Sequence, residues 1–157
     1  DERLVSVLVG NSCEEASLIA HKLCERFYSR KRLGSAVFFP HATEDTDLSC
    51  KHIVSTIARE VAALHPAFAE AIADVLASSP GLACSSDHFD RQFEDLLVHP
   101  LQSLTMVGPV LIVIDGLDRC SDPLRFEEAL GASHILGKIP RNVRFLMTYN
   151  SESQLLN

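Results

Sequence analysis

Two aspartates three positions apart, Asp115 and Asp118, follow the run Val110-Leu111-Ile112-Val113-Ile114 and flank Gly116-Leu117. An aliphatic run this short, bounded by Gly108-Pro109 and Asp115-Gly116, reads as a strand buried on both faces. A carboxylate at the carboxyl end of such a strand stands where open α/β sheets place their ligands. It commonly holds a magnesium ion beside a bound nucleotide. The plainer reading is a polar turn after a strand, with Asp115 accepting hydrogen bonds from amides near Ser12 or from Ser17. A second group is Gly10 to Ser17, where an apolar strand meets glycine, a short turn and a helix, the skeleton of a phosphate-binding loop. Cys13 at that helix start has no visible base to activate it, and Glu14 and Glu15 oppose a lowered thiol pKa. Cys50-Lys51-His52 is the closest Cys/His approach and does not make a zinc site.

The elements that must position these residues follow in order. Leu4 to Val9 is a buried strand, and Glu14 to Ser29 a helix with Leu18, Ile19, Leu23 and Phe27 at helical spacing. Gly34 to Phe39 is the second strand, completing a right-handed β-α-β unit. Asp47 is placed to cap a helix from Leu48 to Leu64 with Ile53, Ile57 and Val61 inward. Pro66 opens another, Ala67 to Ala77, and Pro80-Gly81 marks a loop. A helix from Ser86 or Asp87 carries Phe89, Phe93, Leu96 and Leu97, and His99-Pro100 kinks or ends it. Asp122-Pro123 starts a helix that runs to Leu136. Val143 to Thr148 is the fourth strand, and Ser151 to Asn157 begins one more helix.

The 157 residues suit one domain with a sizeable core, 46% hydrophobic and 22% charged. A net charge of −7 argues against a nucleic-acid partner. The one basic cluster, Arg26 to Arg32, suits a solvated helix end. No apolar stretch approaches the ~18 residues of a membrane span. An odd count of cysteines, five, without CxxC spacing suggests reduced thiols in the cytoplasm. The chain starts on a strand and stops soon after one, as a fragment of a longer protein would.

The series Gly10, Leu33-Gly34-Ser35-Ala36-Val37-Phe38-Phe39, Ile57-Ala58, Phe93, Pro100-Leu101, Val113-Ile114-Asp115-Gly116-Leu117-Asp118-Arg119-Cys120 and Val143-Arg144-Phe145-Leu146-Met147-Thr148 resembles the NACHT-type NTPase domain. The likeness is to the fungal set within the STAND class of P-loop ATPases. It implies an α/β, three-layer P-loop NTPase-like fold over residues 1–157, with about four parallel strands flanked by helices and the family's last strand lacking. It also implies ATP and magnesium as ligands, with Gly10, Ser12, Glu15, Ala16 and Ser17 at the phosphate loop. Ser17, Asp115 and Asp118 would face the metal, and Asn150 would stand at the sensor position.

The motifs depart from the family where chemistry is needed. A phosphate loop reads G-x-x-x-x-G-K-[ST]; here Glu15 replaces the second glycine and Ala16 the lysine. Ser12-Cys13-Glu14-Glu15 reads instead as a capping box, which fills the helix N-terminus with its own partners. Two carboxylates there repel a triphosphate, on the order of 4 kcal/mol per unit charge at ~4 Å and a dielectric near 20. Arg119 stands where the family has a water-activating acid, and Tyr149-Asn150 where it has Ser-Arg. Arg119 is placed to pair with Glu14 or Glu15. The expectation is an inactive NTPase-like domain that serves protein partners or self-association in signalling, without nucleic acid or membrane. The alternative is a switch that binds ATP or ADP weakly with magnesium and does not hydrolyse it.

Overall fold

Every position from Val110 to Asp115 is buried, the pattern of a strand covered on both faces. In the computed structural model, which describes residues 4–10, 12–39, 52–83, 89–120 and 122–150, that strand is the third of four. The chain runs β1 (Val5–Gly10), α1 (Cys13–Ser29), β2 (Leu33–Phe38), α2 (Ile53–Leu64) and α3 (Pro66–Ser78). After a 3-10 turn at Pro80–Ala83, α4 (Phe89–Gln92) leads through a π-helical stretch, Phe93–Val98, into α5 (His99–Leu101). Then come β3 (Val110–Asp115), a 3-10 turn at Leu117–Arg119, α6 (Pro123–Gly131), α7 (Ser133–Leu136) and β4 (Val143–Asn150).

The four strands form one parallel sheet in the order β1-β4-β3-β2. Alternation along β3 divides the core. Val110, Ile112 and Ile114 join the larger cluster with Ile57, Phe68, Phe93, Leu97 and Phe126 from the helices that follow β2 and β3. Leu111 and Val113 face the other way, against Ala20 and Cys24 of α1 and Leu146 of β4. The fold is therefore α/β, a four-stranded parallel sheet between helical layers, as the patterning predicts.

Three local expectations are corrected. The first strand is not buried, because β1 lies at the edge of the sheet and leaves Val7 and Val9 exposed. Of the two outcomes expected at His99-Pro100, the helix through Phe93 is disturbed there and does not end. It widens first, with the His99 amide donating to the Glu94 carbonyl, which suits a proline whose ring crowds an α-helical carbonyl. The helix after Pro123 does not run unbroken to Leu136, because Ala132 is extended between α6 and α7 and follows the poor helix former Gly131. Asp122 precedes α6 without a side-chain capping bond. Asp47 and the start of its helix at Leu48 lie outside the described residues, as does the helix from Ser151 to Asn157.

Among the described residues no helix is long and apolar enough to cross a membrane. The reduced-thiol expectation fails at Cys120, which is disulfide-bonded. Cys24 is free and buried.

Candidate functional site

The carboxyl ends of the strands gather most of the residues that could do chemistry. β1 ends at Gly10, and α1 begins at Cys13, so helix takes up residues that a phosphate loop would need as irregular backbone. Ser12 caps the helix from an extended conformation, its Oγ accepting the Glu15 amide at 3.3 Å. The return bond of a capping box does not form, and the Glu15 side chain is exposed. Glu14 and Glu15 lie in the first turn, where the helix dipole favours acids.

Gly10 is required by this close turn. A Cβ there would come within 2.5 Å of the Ser12 carbonyl oxygen and 3.0 Å of Ala16 Cβ. Ala16, 2% exposed, starts the stripe Ala16, Ala20, Cys24 with which α1 lies on the sheet. The lysine position of a phosphate loop is thus a packing contact.

Asp115 closes the site. Ser17 Oγ donates to its Oδ2 at 2.6 Å, and Thr148 Oγ1 donates to its Oδ1. Thr148 Oγ1 in turn accepts the Gly116 amide at 2.9 Å. Asp115 is 3% exposed and Thr148 1%, with Ser17 half-buried, and this network of three side chains ties α1, β3 and β4 together. The reading of Asp115 as an acceptor from Ser17 holds. Thr148 as its second donor was not assigned from sequence, although a threonine in an apolar strand beside the aspartate strand was the visible signal.

Arg119 does not pair with Glu14 or Glu15. Its Nη1 donates to the carbonyl of Phe39, just beyond β2, and its guanidinium lies over Gly116. That glycine has φ 77°, and a Cβ on it would meet Arg119 Cζ at 2.5 Å. Arg119 therefore bridges the ends of β2 and β3 instead of reaching α1. Asp118 is half-buried in the same turn, and Asn150 stands in register with Gly10 at the end of β4. His21 of α1 stacks on Phe38 of β2, ring centroids 4.0 Å apart.

Both Asp115 oxygens accept from protein hydroxyls, and among the described residues no group of three or more His, Cys, Asp or Glu is placed to hold a metal. These residues do not fit a magnesium nucleotide held in the manner of a phosphate loop. Nor is Cys24 an activated thiol: burial, reinforced by the Asp115 carboxylate, pushes it up to about 11.

The family described as nephrocystin 3, N-terminal, matches residues 10–149. The chain belongs to that family. The match to nephrocystin 3, N-terminal, takes in the site from Gly10 through Ser17 and Asp115 to Thr148 and stops one residue before Asn150. Neither the curated proteins nor the solved structures contain a match.

Proposed function

We propose that this domain is a catalytically inactive relative of NACHT-type P-loop NTPases in the STAND class, acting as a protein-interaction or oligomerisation module of a signalling protein. The observation that carries this is the start of α1 at Cys13, which replaces a phosphate nest with helix. Two further features support it. Ala16 is buried against Gly10, and Asp115 is satisfied by Ser17 and Thr148. Gly10, Ser12, Glu15, Ala16 and Ser17 are on this reading the remnant of a nucleotide site, with Asp115, Asp118 and Asn150 opposite them.

The second reading, a non-hydrolysing ATP or ADP switch, draws on the Ser17–Asp115 pair, since a hydroxyl and a carboxylate are what magnesium would use. The thermal midpoint with and without millimolar ATP or ADP and magnesium separates the two. Ligand at ~100 times its dissociation constant adds ~2.7 kcal/mol, a rise of several degrees in a domain this size. The interaction-module reading expects no rise; a rise with either nucleotide would replace it with the switch.

A further inference from the structure

At the opposite end of the sheet, where the strands begin, a groove of about 720 Å³ opens between α1 and the sheet. Its apolar floor and wall are Leu23 and Phe27 of α1, Leu111 of β3 and Leu146 of β4. Its rim carries Arg141 and Arg144, and among the described residues no acidic side chain lines it. In a chain of 21 acidic and 14 basic residues, that is a local reversal of charge.

The arginines are not committed to carboxylates. Arg144 sits on β4 opposite Leu111 of β3, and its Nη1 donates to the carbonyls of Arg141 and Val143. Arg32 Nη1 is buried against Gly108, a groove residue, and has no hydrogen-bond partner. Among the described residues no carboxylate pairs with Arg32, Arg141 or Arg144. Arg26 is exposed and lies three residues beyond Leu23 on the same face of α1, and Arg30 is exposed just past the end of that helix. The acid on that flank, Glu15, is eight residues away, roughly 12 Å along the helix.

The space also has a shape. α1 packs on Leu111, Val113 and Leu146, leaving Ser6 of β1 exposed and Leu8 half-buried beside it. Strands ~4.8 Å apart and a helix ~10 Å wide mean that one helix cannot cover four strands.

From this we infer that the groove is a docking site for an acidic amphipathic helix of a protein partner, its apolar stripe on Leu23, Phe27, Leu111 and Leu146 and its carboxylates on Arg141 and Arg144. Arginine forks suit carboxylates bidentately, and the apolar floor supplies the buried contact that charge alone does not. This names a partner for the interaction module proposed above. The groove lies at the far end of the strands from Asp115, so a nucleotide effect on stability would overturn that reading and leave this one standing.

The test is a displayed library of helices about sixteen residues long, with a fixed leucine stripe and randomised polar positions, selected on the 157-residue chain. Enriched helices are expected to carry an excess of Asp and Glu. Their affinity should fall about tenfold or more on an Arg141→Glu, Arg144→Glu variant and recover when the helix acids are changed to lysine. The neutral pair Arg141→Gln, Arg144→Gln, expected to weaken binding less, serves if charge reversal disturbs folding. No enrichment, enrichment without an acidic excess, or equal binding to the variants would overturn the inference. So would variant-sensitive binding of phosphatidylserine-containing vesicles in the absence of any helix binder, which would make the groove a lipid surface.

Discussion

Ser17 and Asp115, 98 residues apart in the chain, are joined by a 2.6 Å hydrogen bond that fixes α1 to the end of β3. The same carboxylate accepts from Thr148, so one side chain holds a helix and two neighbouring strands at the mouth of the sheet. In an active nucleotide site these oxygens would be turned toward a metal. Here they are turned toward the protein, and the expected consequence of disturbing them is lost stability.

Ser17→Ala should cost ~1.5–3 kcal/mol, the range for hydrogen bonds to charged groups, because Asp115 stays buried with one donor removed. Thr148→Val should cost at least as much, since it also strands the Gly116 amide. The double variant should show a coupling of ~0.5–3 kcal/mol, as expected for residues that share one partner. Urea unfolding midpoints measure all three. Strict additivity would mean that the two hydroxyls do not act through Asp115.

Restoring the motif letters should not restore the site. In Glu15→Gly, Ala16→Lys, the new ammonium starts from a position 2% exposed and packed against Gly10. The variant should unfold at lower temperature than the natural chain and gain nothing from ATP and magnesium. Gly10→Ala is the companion test: its Cβ meets the Ser12 carbonyl, and overpacking of that kind costs ~1–3 kcal/mol. A nucleotide-dependent rise in the motif variant would show that α1 can surrender its first turn.

The strands were legible because their patterns are local: β3 is an unbroken aliphatic run, and β1, β2 and β4 end at Gly10, before Pro40 and near Thr148. The cap of α1 was legible too, as Ser12 followed by Glu14 and Glu15 marks a helix start, and Ser12 accepts the Glu15 amide. The destination of Arg119 was not. Its partner is a backbone carbonyl, that of Phe39, and every residue has one, so no residue type 80 positions away could announce it. The same holds for the π-helical stretch before Pro100, where proline signals a disturbance without saying whether the helix ends or widens.

Stability should fall at alkaline pH in two stages. Cys24 rises from 9.0 to about 11 on folding, through burial first and Asp115 second. A group with a raised folded pKa stabilises fully below its unfolded value, so this contribution is lost from about pH 9 to about pH 11. Tyr149 is raised further, by burial and then by its hydrogen bond to Glu127, so its loss begins above its ordinary value of 10.0. Unfolding midpoints between pH 7 and pH 11 should decline from about 9, and Tyr149→Phe should flatten the upper part of that decline. A profile of Tyr149→Phe parallel to that of the natural chain would remove the tyrosine from this account.

The last prediction concerns the far edge of the sheet, where Glu60 of α2 supports β2. Its Oε2 accepts Ser35 Oγ at 2.6 Å and the Ala36 amide at 2.9 Å. These two residues follow the register shift between Leu33 and Ser35, where pairing to β3 is irregular. Glu60 thus supplies the acceptor that the strand ladder does not. Glu60→Ala leaves a hydroxyl on a residue 1% exposed and a strand amide without that acceptor, each at ~1–3 kcal/mol. Glu60→Gln keeps an oxygen in place and should lose much less. If the two variants unfold at the same urea concentration, the bulge does not depend on Glu60, and packing of Ile57 and Val61 against the sheet is sufficient to hold β2.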